Sequence, residues 1–199
     1  MAKPPTDNFS RRSFLKGSGA AAAATALTAN VAATASGQDA PATVISEKAT
    51  VTLNVNGEDH EITIEPRTTL LEALRYHLDL TGAKPVSLDG SSGASTVLID
   101  GKPAMASTTL AISTRGRKIE TVESMVDDVV PKAFVDHDAT QCGFCTPGFV
   151  VAVRAFLNSN PNATEEQIRA GLNGNICRCG TYANIVQAAV QVVKGGGNG

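Results

Sequence analysis

The chain has 199 residues, 42 % of them hydrophobic and only 4 % aromatic, with no tryptophan. That length suits one compact domain or two small ones. A formal net charge of −2, with no basic patch standing out beyond the N-terminus, gives no sign of nucleic-acid binding.

Residues 1–35 read as a targeting segment rather than as fold. Ser10-Arg11-Arg12-Ser13-Phe14-Leu15-Lys16 has the S-R-R-x-F-L-K form of a twin-arginine signal, an alanine-rich run follows from Gly17, and Ala33-Thr34-Ala35 is an A-x-A cleavage site. The bland alternative is an alanine-rich tail with a chance arginine pair. The run is too polar and too short to span a membrane, so no span is expected in the mature chain. The twin-arginine route resembles one that exports proteins already folded around a cofactor, which points to the periplasm.

Residues 36–48 are small, polar and proline-containing, as in a linker. Val51, Leu53 and Val55 then alternate with polar residues, Asn56-Gly57 marks a hairpin turn, and His60, Ile62 and Ile64 alternate again. Pro66 ends the second strand. Thr69-Leu70-Leu71-Glu72 is a capping box, and Leu70, Leu71, Leu74 and Leu78 form the stripe of an amphipathic helix. Thr96–Ile99 reads as a short buried strand turned by Asp100-Gly101, and Lys118–Val122 as a last strand.

From Glu123 the composition turns helical. Helices are expected over Val129–Asp138, Pro147–Asn158, Thr164–Leu172 and Tyr182–Lys194. Pro147 suits a first helical position, and Thr164-Glu165-Glu166-Gln167 is a second capping box. Ile185, Val186, Ala189, Val190 and Val193 give the last helix its apolar face. Asn162-Ala163-Thr164 spells a glycosylation sequon, read as chance plus a helix cap. Residues 195–199 form a tail. The three histidines, His60, His77 and His137, are scattered, and His60 pads a strand face.

The chain's only four cysteines fall in this helical part, as Gln141-Cys142-Gly143-Phe144-Cys145-Thr146-Pro147-Gly148 and Asn175-Ile176-Cys177-Arg178-Cys179-Gly180-Thr181-Tyr182. C-x2-C followed at a distance by C-x-C can grip two metal atoms from two tight turns, and four thiolates satisfy a 2Fe–2S cluster. Gly143 and Gly180 let the backbone approach such a core closely. Both pairs fall at or just before helix starts, where the positive end of the dipole favours an anion. Two rivals stay open on spacing alone: a four-cysteine zinc site, for which C-x-C is an awkward tetrahedral bite, and two structural disulfides in an exported chain.

The longer wording, Q-C-G-F-C-T-P-G-F and then N-x-C-R-C-G-T-Y-x-x-I, resembles the C-terminal cluster domain of the iron–sulfur subunits of molybdenum hydroxylases, the xanthine dehydrogenase and aldehyde oxidoreductase family. The resemblance implies an α+β chain: a β-grasp, plant-type ferredoxin-like domain over 49–122, followed by a four-helix 2Fe–2S-binding domain over 123–194. It implies one 2Fe–2S cluster on Cys142, Cys145, Cys177 and Cys179, molybdopterin on a partner large subunit, and Gln141 and the turn at Cys179 lying against that pterin. Arg178 then packs or pairs at the subunit interface.

One departure stands out. The family's ferredoxin-like domain carries a second cluster on C-x4-C-x2-C-x11-C. Here Ser87, Ser92, Ser95 and Ser107 keep that spacing without a thiol among them. A hydroxyl stays protonated at neutral pH and suits iron poorly, so this domain is expected to fold without a cluster, with Ser87, Ser92 and Ser95 hydrogen-bonded within their loop. The surroundings have drifted too: Pro85-Val86 stands where the family has Tyr-Gly, and Leu88 where it has glycine.

The expected function is therefore an electron-transfer subunit, without bond chemistry of its own, in a periplasmic oxidoreductase of aldehydes or N-heterocycles. Electrons would leave the large subunit through the single cluster to an acceptor such as a cytochrome c. A structural or assembly subunit with a non-transferring cluster, and an independent ferredoxin-like carrier, are the rival readings.

Overall fold

Alternation builds the first hairpin as the sequence predicts. The computed structural model describes residues 47–195, so the signal segment 1–35, nearly all of the linker 36–48 and all but the first residue of the tail 195–199 lie outside the described residues. Strands β1 (Ala49–Val55) and β2 (Glu58–Ile64) pair antiparallel, with Val51 opposite Ile62 and Leu53 opposite a half-buried His60. Asn56 and Gly57 both take positive φ, 54° and 87°, which the tight turn requires.

Strands β3 (Thr96–Ile99), β4 (Lys102–Met105) and β5 (Lys118–Glu120) complete a mixed sheet in the order β2-β1-β5-β3-β4. β5 runs parallel to β1 and antiparallel to β3. Strand β4 has no alternation signal and contains Pro103, so the sequence gives it no voice. It is an edge strand, where proline's missing N–H is tolerated. The last strand stops at Glu120, two residues short of the expected Val122. The Asn56 side chain captures the backbone N–H of Thr121 at 2.8 Å, and Val122–Met125 turns into a 3-10 helix.

The capping box at Thr69 forms as read: the Thr69 N–H donates to Glu72 Oε2 at 2.8 Å, and the Glu72 N–H donates to Thr69 Oγ1 at 3.2 Å. The helix it opens, α1 (Leu70–Glu72), continues as a π-helical turn over Ala73–His77, which corrects the regular helix expected there. The Arg75 guanidinium donates to the carbonyls of Thr81 and Ala83 at 2.7 and 2.9 Å. It thereby draws the following chain back against the helix end, and Asp79 reverses direction at φ 57°.

Four further helices follow: α2 (Val129–Asp136), α3 (Thr146–Ser159), α4 (Glu165–Gly171) and α5 (Tyr182–Lys194). α2 ends two residues before the expected Asp138, because Asp138 turns to φ 49° and Asn184 of α5 donates to the carbonyls freed at His137 and Asp138. Asp128 caps α2 through the Val130 N–H at 2.8 Å and also pairs with the buried Arg154 of α3.

Two apolar clusters form the interior. One gathers Val51, Leu53, Leu70, Leu74, Val97, Ile99 and Ile119 around the sheet. The other gathers Phe134, Phe149, Val151, Ile168 and Ile185 among the helices. Leu98 belongs to the helical cluster although its neighbours Val97 and Ile99 belong to the other. β3 is thus buried on both faces, which explains its unbroken apolar run. Burying a leucine such as Leu98 contributes about 1.5–3 kcal/mol. Among the described residues no helix is long and apolar enough to cross a membrane.

Candidate metal centre

Two turns carry the four cysteines. In the first, Gly143 at φ 79° reverses the chain between Cys142 and Cys145. In the second, Gly180 at φ 81° does the same after Cys179. A side chain at either position meets no crowding, so the glycines serve backbone direction rather than space. Cys145 is the N-cap of α3, with Pro147 in its first turn, and Thr181 is the N-cap of α5. Both thiol-bearing turns therefore stand at positive helix ends.

All four thiols are free of disulfides in the structure. They face one another across the two turns: Cys145 lies beside Cys177, and Cys142 beside Cys179. The first pair lies inside, with Cys177 buried and Cys145 half-buried. The second forms the exposed edge, beside exposed Gln141, Phe144 and Arg178. Among the described residues, no three His, Cys, Asp or Glu side chains are gathered as a single metal ion would need.

Cys177 is held most closely. Its N–H donates to the Tyr182 hydroxyl at 2.8 Å, its carbonyl accepts from the Gly180 N–H at 3.3 Å, and its sulfur lies 3.2 Å from Thr181 Oγ1. The Tyr182 ring packs edge-on against Phe149 of α3, with centroids 6.1 Å apart. Burial works against ionising Cys177, but hydrogen bonds from the Thr181 hydroxyl and backbone outweigh it and bring the thiol down to about 7.

Cys145 and Cys179 resist ionisation. Burial, then the hydrogen bond and charge of Cys177, push Cys145 up to about 12. A hydrogen bond from the Cys142 backbone lowers Cys179, but the Cys142 thiol, desolvation and neighbouring thiolate charge raise it further, so its net shift is upward. Raised thiols at Cys145 and Cys179 beside a lowered Cys177 are chemistry that suits a centre bringing positive charge. Paired thiols from two turns, glycine-reversed backbone and two helix N-termini fit a dinuclear iron–sulfur core.

The serine set is also brought together, in a different way. Ser87 Oγ donates to Ser92 Oγ at 2.7 Å and accepts from the Ser92 N–H at 2.9 Å, while Ser95 and Ser107 share a hydrogen bond at 2.9 Å. Ser92, Ser95 and Ser107 are buried. These neutral pairs satisfy one another and present no anionic ligand, so this loop does not fit a second cluster. Thr181, Tyr182 and Asn175 support the cysteine turns without carrying a motif of their own. Their only sequence signal is adjacency to the cysteines.

Fold and site together define a 2Fe–2S-binding protein. Residues 119–190, which include all four cysteines, match the family described as [2Fe-2S] binding domain, and residues 8–28 match the twin-arginine translocation pathway signal sequence. The aldehyde oxidoreductase iron–sulfur-binding subunit PaoA of Escherichia coli K12 is 38 % identical over 205 residues, covering 94 % of this chain and 89 % of that one. The nicotine 6-hydroxylase small subunit of Paenarthrobacter nicotinovorans is 38 % identical, covering 73 % of this chain and 90 % of its own. Among solved structures, quinoline 2-oxidoreductase from Pseudomonas putida 86 superposes with a TM-score of 0.69 at 33 % identity, covering 77 % of this chain and 100 % of that chain. The chain belongs to the iron–sulfur small subunits of the aldehyde oxidoreductase and xanthine dehydrogenase family.

Proposed function

We propose that this chain is the electron-transfer subunit of a periplasmic molybdenum hydroxylase, passing electrons from a molybdopterin-bearing large subunit through a single 2Fe–2S cluster to an acceptor such as a cytochrome c. The observation that carries the reading is the pairing of thiols across two turns, Cys145 with Cys177 and Cys142 with Cys179. We assign these four as the ligands. A 2Fe–2S cluster held there supplies one-electron storage.

The chain's own residues bind and orient. Gly143 and Gly180 aim the two turns, Tyr182 fixes the Cys177 backbone, and the Thr181 hydroxyl is placed to donate to the Cys177 sulfur. The exposed edge at Cys142 and Cys179, flanked by Gln141, is the side we assign to the pterin. Residues 49–122 are assigned to a β-grasp domain without a cluster, and 123–194 to the cluster-binding helical domain. The large subunit oxidises an aldehyde or N-heterocycle with water as oxygen source. The twin-arginine signal supports export in the folded state, with the cofactor in place.

Because the serine loop offers no second station, the acceptor docks close to the one cluster. The test is rapid mixing of the intact complex with an aldehyde or N-heterocycle substrate, followed by addition of cytochrome c. Bleaching of the iron–sulfur absorbance, then reoxidation by cytochrome c, is expected. Absence of bleaching would sink the electron-transfer reading; reoxidation only through a flavin subunit would sink the proposed exit.

A further inference from the structure

The serine loop touches both cysteine-bearing segments. The Gly93 carbonyl accepts from Asn175 Nδ2 at 2.9 Å, and the Ser92 carbonyl accepts from the Ile176 N–H at 2.9 Å. Asn175 and Ile176 are the two residues directly before Cys177, and Asn175 is buried. On the other side, Gly148, three residues after Cys145, lies so close that a Cβ there would overlap the Gly93 carbonyl. A Cβ on Gly93 itself would stand 2.6 Å from Asn175 Nδ2 and from the Gly174 carbonyl, and its φ of 69° disfavours any side chain. The Gly93 peptide is thus wedged between the start of α3 and the loop that leads to Cys177.

What holds the wedge is the Ser87–Ser92 pair. Ser87 Oγ accepts from the Ser92 N–H and donates to Ser92 Oγ, which in turn receives the Ala94 N–H at 3.4 Å. Thr96 adds its hydroxyl to the Gly93 carbonyl at 2.6 Å. The second pair, Ser95 with Ser107, ties the loop to the segment after β4 and has no hydrogen bond to the cysteine segments among those described.

We infer that the serine loop is a positioning element for the Cys177–Cys179 turn: Ser87 and Ser92 fix the Ser92 and Gly93 carbonyls, and these fix Asn175 and Ile176. Ser87 and Asn175 are positioning residues, acting on the metal centre through the backbone. This rests on the ligand assignment proposed above. It gives the loop a role that needs no metal of its own, and it separates the two serine pairs by what each one holds.

The test uses the full chain in complex with its large subunit. Ser87→Ala, Asn175→Ala and the double variant Ser95→Ala/Ser107→Ala are compared by iron content, by the EPR spectrum of the dithionite-reduced protein, and by the reduction potential of the centre. Ser87→Ala and Asn175→Ala should shift the EPR g-values and the potential, and Ser87→Thr, which keeps the hydroxyl, should return both towards wild type. The Ser95→Ala/Ser107→Ala protein should keep the wild-type signal. Loss of iron from Asn175→Ala alone, with the control loaded, would support the same role. Unmoved spectra and potentials in Ser87→Ala and Asn175→Ala would overturn it, as would equal changes in the control pair. A wild-type complex without iron and sulfide would instead defeat the ligand assignment itself, so the two failures are distinguishable.

Discussion

Two sets of four small polar side chains sit in this chain, one of cysteine and one of serine, and they meet their chemical needs in opposite ways. The serines close on each other as neutral hydrogen-bonded pairs, Ser87 with Ser92 and Ser95 with Ser107. A hydroxyl both donates and accepts, so each pair can close on its own hydrogen bond without a ligand. The cysteines also pair, but at the cost of raised thiols at Cys145 and Cys179. On the ligand assignment proposed above, the charge of an iron–sulfur core is what completes that set. The difference teaches that spacing alone does not make a metal site. The same loop spacing with oxygen in place of sulfur becomes a packing element.

The largest expected effect breaks the cysteine side of the comparison. Cys177→Ser removes the most closely held thiol, and the purified complex should lose its iron–sulfur absorbance and its substrate-dependent bleaching. Retention of both would remove Cys177 from the ligand set.

A smaller effect compares the two cores. Phe149→Ala should cost about 3–5 kcal/mol, and Leu53→Ala about 2–5 kcal/mol, in denaturant unfolding. Phe149 packs on Tyr182, whose hydroxyl holds the Cys177 backbone, so Phe149→Ala should also speed iron loss to a chelator. Leu53 lies in the sheet cluster, and its replacement should leave iron retention in the folded protein unchanged.

Next in size is an asymmetry within the serine set. Ser95→Ala alone leaves the Ser107 hydroxyl buried without that partner and should cost about 1–3 kcal/mol. Replacing both with alanine should cost less than the single change, since neither hydroxyl is then orphaned. Equal or additive losses would contradict the picture of a self-satisfied pair.

The smallest effect is read on the metal-free chain. The Cys177 thiol falls from 9.0 to about 7 on folding, so between those values the unfolded state binds more protons. Its contribution is present above pH 9 and is lost as pH falls through about 7, so stability should rise with pH across that window. Cys145, pushed up to about 12, contributes in the other direction only above pH 9. Thr181→Val should flatten the rise, because the hydroxyl beside the sulfur is gone. A slope unchanged by that substitution would remove Thr181 from the account.

Much of this was legible from residue pattern. The alternation of Val51, Leu53 and Val55 and the capping boxes at Thr69 and Thr164 are local signals, and they formed as read. Strand β4 and the π-helical turn after Glu72 were not legible. The first depends on an edge next to β3, the second on Arg75 reaching carbonyls further along the chain. The cysteine spacing announced a metal centre, while the support given by Tyr182, Thr181 and Asn175 emerges only when α3, α5 and the serine loop come together. Long-range contacts of that kind leave no period in a sequence.

We propose that the cysteine set holds a cluster and the serine set holds none. Iron and acid-labile sulfide per chain, measured on the native complex together with the EPR spectrum after dithionite, test it most directly. Two irons, two sulfides and one rhombic signal from this subunit are expected. Four irons with two signals, or zinc without sulfide, would contradict it.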